Sequence, residues 1–96
     1  MANQSHAEGK ATKASKFHAH AEGRATVANG EASHAEGYGS RAEGDYSHAE
    51  GKGTANGVYS HAEGLSTASG NYSHTEGYST YAYGECSHAE GYNATA

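Results

Sequence analysis

Large apolar residues along this chain do not recur three and four apart, so no stretch carries the stripe of an amphipathic helix. Small residues alternate with polar ones instead. In Ser33-His-Ala-Glu-Gly37, an extended backbone sets Ser33, Ala35 and Gly37 on one face and His34 and Glu36 on the other. The same five residues return at 5–9, 47–51, 60–64 and 87–91, with near copies at 19–23 and 73–77. From His to His, the copies begin at His6, His20, His34, His48, His61, His74 and His88, in steps of 14, 14, 14, 13, 13 and 14 residues. A short period kept over about seven copies predicts a solenoid in which each repeat is one coil.

A weaker echo lies halfway along each repeat, as Val27-Ala-Asn-Gly30, Arg41-Ala-Glu-Gly44, Thr54-Ala-Asn-Gly57, Thr67-Ala-Ser-Gly70 and Tyr81-Ala-Tyr-Gly84. Each half fits about five residues of strand and a two-residue turn such as Tyr38-Gly39 or Asp45-Tyr46. The expected fold is therefore all-β: a single parallel solenoid domain over residues 1–96, with two short strands per coil. Ser, Ala and Gly on the inner faces would let the two rows of strands approach more closely than the usual ~10 Å. The two 13-residue coils have lost one residue between Gly51 and Ala55 and between Gly64 and Ala68. That leaves the register of Gly53-Thr54 and Ser66-Thr67 open.

Composition narrows the choice further. The large aliphatic and non-tyrosine aromatic side chains are Met1, Phe17, Val27, Val58 and Leu65, in a chain of 96 residues with 14 Gly, no Pro and no Trp. Full burial of each is worth roughly 1.5–3 kcal/mol, against an ordering cost on the order of 100 kcal/mol. An ordinary globular monomer is not expected on those terms. What remains is a disordered low-complexity segment, or an array whose coils and neighbouring chains supply the contacts. Eight Tyr and the strict repeat favour the array.

The formal charge is −5, and all six basic residues (Lys10, Lys13, Lys16, Arg24, Arg41, Lys52) precede residue 53. An acidic chain of this kind is not expected to take nucleic acid as a partner. No apolar run approaches the ~18 residues of a membrane span, so no direct membrane insertion is expected. The single Cys86 excludes an intrachain disulfide and reads as a substituted turn residue.

The outward faces of the two strands differ. The first carries His and Glu in every coil. The second wanders through Lys13 with Ser15, Val27 with Asn29, Arg41 with Glu43, Thr54 with Asn56, Thr67 with Ser69 and Tyr81 with Tyr83. Neutral drift of a duplicated unit would touch both faces alike. Uniformity on one face alone points to burial against copies of itself.

Ser-His-Ala-Glu-Gly followed by a Thr/Ser-x-Ala-x-Gly half, repeated every 14 residues, resembles the head repeats of YadA-type trimeric autotransporter adhesins. It is also similar to repeats in tail fibres and appendages of phages and prophages. The resemblance covers essentially the whole chain. It implies a left-handed parallel β-roll, three chains about a threefold axis, and an adhesive head or rigid spacer at the bacterial cell surface that meets extracellular-matrix or cell-surface receptors. The alternative is a virion fibre segment that supports a receptor-binding tip.

Carried over by position, the pairs implied to face the trimer are His6 with Glu8, His20 with Glu22, His34 with Glu36, His48 with Glu50, His61 with Glu63, His74 with Glu76 and His88 with Glu90. Each His is expected to donate a hydrogen bond to the Glu of its own pair. The family's commoner repeat has an aliphatic pair there. Its signal peptide, coiled-coil stalk and membrane anchor find no counterpart in these residues, so a head fragment, or a member anchored by other means, is expected.

No cofactor is expected. His18-Ala-His20 has the spacing of a chelating pair, but a Glu two residues beyond each repeated His offers a neutral imidazole a partner without any metal. No catalytic set appears: the repeat lacks the second His of a zincin, and Gly9-Lys10 and Gly51-Lys52 lack the P-loop glycines. Ligand contact, if any, is expected on the variable strand and turns, at Arg41, Glu43, Tyr81 and Tyr83, and along Tyr46, Tyr59 and Tyr72, which should stack in successive coils as an adhesion strip or a turn-stabilising ladder. An ice-binding rank of Thr12, Thr26, Ser40 and Thr80 is disfavoured by the bulky or charged residues beside them.

Overall fold

The structure, a computed structural model, describes residues 5–96, so Met1 lies outside the described residues. Its strands are β1 (His6–Lys10), β2 (Lys13–Ala14), β3 (His20–Arg24), β4 (Val27–Ala28), β5 (His34–Tyr38) and β6 (Arg41–Ala42). They continue with β7 (His48–Ala49), β8 (Thr54–Ala55), β9 (His61–Ala62), β10 (Leu65–Ala68), β11 (His74–Ala82) and β12 (His88–Tyr92). Each strand pairs in parallel with its equivalent one coil away: His20 lies opposite His34, Ala21 opposite Ala35 and Glu22 opposite Glu36. The odd strands from β1 to β9 form one row and the even strands from β2 to β10 the other, while β11 runs round a corner and joins both, and β12 extends the first row by pairing with the His74–Tyr78 part of β11. The chain is thus a parallel β-solenoid of about six turns with about 14 residues each, with principal dimensions of 36 × 22 × 10 Å.

Its interior is built from methyls and hydroxyls. Ala21, Ala35, Ala49 and Ala62 from one row meet Ala28, Ala42, Ala55 and Ala68 from the other, all wholly buried. The largest fully buried side chains are threonines, Thr26, Thr75 and Thr80. Buried hydroxyls close the turns that precede them: Ser33 Oγ donates to the Gly30 carbonyl at 2.7 Å, Ser47 to Gly44 at 2.6 Å and Ser60 to Gly57 at 2.6 Å.

The corners hydrogen-bond from coil to coil as the strands do. Tyr46, Tyr59 and Tyr72 adopt left-handed φ values of 61°, 60° and 62°. Their amides donate to the carbonyls of Glu31, Asp45 and Val58 in the preceding coil, at 2.7, 3.0 and 2.9 Å. A side chain in that conformation costs roughly 1–2 kcal/mol, and the ladder on either side holds it there.

One sequence expectation changes at this level, a disfavoured one falls away and an open one closes. Gly37 does not line the interior with Ser33 and Ala35: its φ of 104° ends the alternation, it is exposed, and buried Ser40 takes the next inward place. Thr26, Ser40 and Thr80 are buried as well, so they form no surface rank. The open register is fixed, since Thr54 pairs with Arg41 and Thr67, and Thr67 with Tyr81. The missing residue belongs to the turn, where Leu65 lies opposite Tyr78 but Ser66 opposite Thr80. Ser66 Oγ bonds the Glu63 carbonyl at 2.7 Å, as Ser40 Oγ bonds that of Glu36 at 2.8 Å, with one residue fewer between them.

Candidate functional site: a histidine and glutamate ladder

Parallel pairing in register turns a sequence repeat into a column. His6, His20, His34, His48, His61, His74 and His88 stack ring on ring, with centroids 4.6–4.8 Å apart. From His34 onward the planes lie within 6° of parallel. Beside each ring, two residues along the same strand face, stands the Glu of the same rung. Nε2 to Oε2 distances are 3.3 Å from His6 to Glu8, 3.2 Å from His20 to Glu22, 2.9 Å from His34 to Glu36 and 3.1 Å from His48 to Glu50. They lengthen to 3.3 Å from His61 to Glu63, 3.5 Å from His74 to Glu76 and 3.6 Å from His88 to Glu90. All fourteen residues of the expected interface therefore share one surface.

Proximity here is not hydrogen bonding, and the expected donation from each His to its Glu is corrected on that point. His20 has both the distance and the direction of a hydrogen bond to Glu22. In His34, His48, His61 and His74, Nε2 is sealed from solvent yet has no hydrogen-bond partner. Direction decides between the two descriptions: the carboxylate oxygen is near but off the line of the ring nitrogen, which is left unspent. Glu76 and Glu90 depart furthest from the expectation. The carboxylate of Glu76 accepts nothing from the His74 ring, and that of Glu90 stands beyond hydrogen-bond reach of His88. The physical reason at Glu90 is its place on the last rung: no further coil covers it, and both it and His88 are exposed.

The side chains of the middle five histidines are 35–38% exposed, so in one chain this face is neither core nor freely solvated. Burial, and then the neighbouring His61 and His34, push the His48 pKa below its ordinary value, against the pull of Glu50 and Glu36.

An open furrow of about 650 Å³ runs beside the ladder, between Glu8, Glu22, Glu36 and Glu50 and the glycines that follow each of them. A second, of about 560 Å³, lies along Glu63, Glu76 and Glu90. His18 stands apart in an exposed turn with φ 61°, whereas His20 is a rung.

On the opposite face, side chains link coil to coil without repeating. Ser15 Oγ donates to Asn29 Oδ1 and Asn29 Nδ2 to Glu43 Oε1, both at 2.9 Å, and Arg41 Nε donates to Glu43 Oε2 at 2.7 Å. Tyr81 and Tyr83 are exposed side by side, with rings 5.9 Å apart. At the corner, Tyr46, Tyr59 and Tyr72 stack at 4.9 and 5.2 Å. The negative charge of Glu31, with a 3.2 Å hydrogen bond to it, raises the Tyr46 phenol above its ordinary pKa.

Sequence reasoning missed Tyr38, which sits between Arg24 and Lys52, each cation 5.5 Å from the ring centre. The signal was available, because residues 24, 38 and 52 are 14 apart and occupy equivalent places in three successive coils. Compared with known proteins, the chain matches no family model, no curated sequence and no solved structure.

Proposed function

We propose that this chain is a non-enzymatic, trimeric left-handed β-roll that serves as an adhesive head or rigid spacer at a bacterial surface, with its histidine and glutamate ladder turned toward the partner chains. One observation carries the reading: one face repeats His and Glu on seven successive rungs, half-covered and with unspent ring nitrogens, while the opposite face changes from coil to coil. A face that meets two copies of itself is held constant by its own packing. A face that meets a receptor, or only water, is free to vary. The rod supports the spacer role, since each coil is bonded to the next along both strands and both corners.

Receptor contact is then assigned to Arg41, Glu43, Tyr81 and Tyr83 and the tyrosine column at the corner. Sedimentation at micromolar concentration is expected to give three times the 9.9 kDa chain mass. His48→Lys with His61→Lys, which sets like charges together at the interface, should lower that mass. Tyr81→Ala with Tyr83→Ala should leave it unchanged while reducing attachment to host-cell surfaces. A parent chain that sediments as a monomer overturns the assembly.

A further inference from the structure

We propose that the ladder is a linear binding site for divalent first-row transition ions, in which the imidazole and carboxylate of one rung act as adjacent ligands. The rung distances carry the first step. Two donors about 2.0–2.1 Å from one ion and roughly 90–110° apart lie about 2.9–3.4 Å from each other. Nε2 and Oε2 are 2.9, 3.1 and 3.3 Å apart in the His34, His48 and His61 rungs.

The unspent nitrogens carry the second step. If Nε2 is protonated, its proton has no acceptor, and if it is bare, its lone pair stands beside that of a carboxylate. Either state is costly for an atom hidden from water. A cation in line with Nε2 and to one side of Oε2 removes both costs.

Donor type and packing set the selectivity and the loading. One imidazole and one carboxylate suit zinc, nickel, cobalt or copper, whereas magnesium and calcium prefer all-oxygen shells. His48, Glu50 and His61 bring their ligand atoms within 4.8 Å of one another, so successive sites adjoin. Their rings are parallel to within 1° and aim their lone pairs side by side rather than at a common point. Each ion therefore takes one imidazole in line. Ions on adjacent rungs would repel across less than 5 Å with one carboxylate apiece, so filling alternates and stops at about four ions per chain.

The inference stands on one chain's rungs and does not require the trimer. The test is calorimetric titration of the whole chain with Zn²⁺ at neutral pH, with Mg²⁺ as control and sedimentation of the same samples. Zinc should bind, weakening as sites fill, and magnesium should not. Glu36→Gln, Glu50→Gln and Glu63→Gln together keep the stacked rings and should weaken zinc at least tenfold and lower the number of ions bound. If that variant does not fold, Glu50→Gln alone should show the lower ion number. His18→Ala should change nothing. Equal zinc affinity in the parent and the glutamine variant would reduce the ladder to a row of independent surface histidines and overturn the proposal, as would a parent that takes up no more zinc than magnesium. A monomer that binds zinc sinks the trimer alone, and a trimer that binds none sinks this inference alone.

Discussion

Replacing Gly57 by Ala adds one methyl to one corner of the solenoid, and should be among the most damaging small changes the chain can carry. Gly57 is buried without a left-handed φ, so the backbone conformation itself would accept alanine. Its new Cβ would stand 2.5 Å from the Gly70 carbonyl carbon and 2.9 Å from Asn71 N in the next coil. The Gly70 carbonyl oxygen would be closer still, and reaching an ordinary separation of about 3.4 Å to the carbon alone opens the corner by at least about 0.9 Å. The Asn56 N–H to Ala68 O bond and the Val58 N–H to Asn71 Oδ1 bond, both 2.9 Å, would stretch to about 3.8 Å and be lost. Two hydrogen bonds at about 1 kcal/mol each and an overpacking cost of about 1–3 kcal/mol give a loss of about 3–5 kcal/mol. For a chain of this size that is a fall in Tm of roughly 12–40 °C.

Two other glycines separate sterics from backbone strain. Gly84→Ala meets nothing closer than Ser87 Cβ at 3.7 Å and should be neutral or slightly stabilising. Gly39→Ala has open space but a φ of 70°, and should cost about 1–2 kcal/mol. Thermal unfolding followed by far-ultraviolet circular dichroism, at one protein concentration for all four proteins, ranks them. If Gly57→Ala melts with Gly84→Ala, the coils are not in the close contact described and the reasoning fails.

The remaining predictions concern buried hydroxyls, strained alanines and one phenol. Thr80 Oγ1 is buried without a partner, whereas Thr26 Oγ1 donates to the Glu22 carbonyl at 3.2 Å; urea unfolding should show Thr80→Val stabilised by about 1 kcal/mol and Thr26→Val destabilised by a similar amount. Ala32 is exposed with φ 53°, so Ala32→Gly should gain up to about 1 kcal/mol in the same assay, and an unchanged or lower midpoint counts against left-handed strain at that corner. Ultraviolet titration should find a Tyr46 phenol that ionises above its ordinary pKa, and Glu31→Gln should lower it; a profile unmoved by that substitution removes Glu31 as the cause.

The repeat made the coil legible because its pattern is local: small residues alternate with polar ones, and the turn at Asp45-Tyr46 lies where the spacing put it. The same alternation misled at Gly37, because a left-handed φ breaks the two-residue period and sequence alone does not mark where that happens. Left-handed corners at Ala32 and Tyr46 carried no glycine or asparagine to announce them. The 13-residue coils stayed ambiguous because Gly53 and Thr54 both fit a strand edge; closure of the ladder decides, with Gly53 buried and Thr54 paired to Arg41. In the ladder, the meeting of His34 with Glu36 followed from their shared strand face. The off-line direction of their contact, and the wider gaps at Glu76 and Glu90, depend on ring orientation within the stack and on distance from its end, which no spacing encodes.

An interior of methyls and hydroxyls also has a calorimetric consequence. The heat capacity of unfolding rises with the apolar surface exposed and falls with the polar surface exposed, and ordinary domains reach about 12–15 cal/mol/K per residue. Here the buried apolar groups are alanine methyls lying among serine and threonine hydroxyls and a dense backbone ladder, while the tyrosine rings are already half in water. Both facts push the heat capacity change down. The stability curve should be correspondingly flat, so that cooling weakens the rod far less than it weakens a protein held together by leucine and phenylalanine.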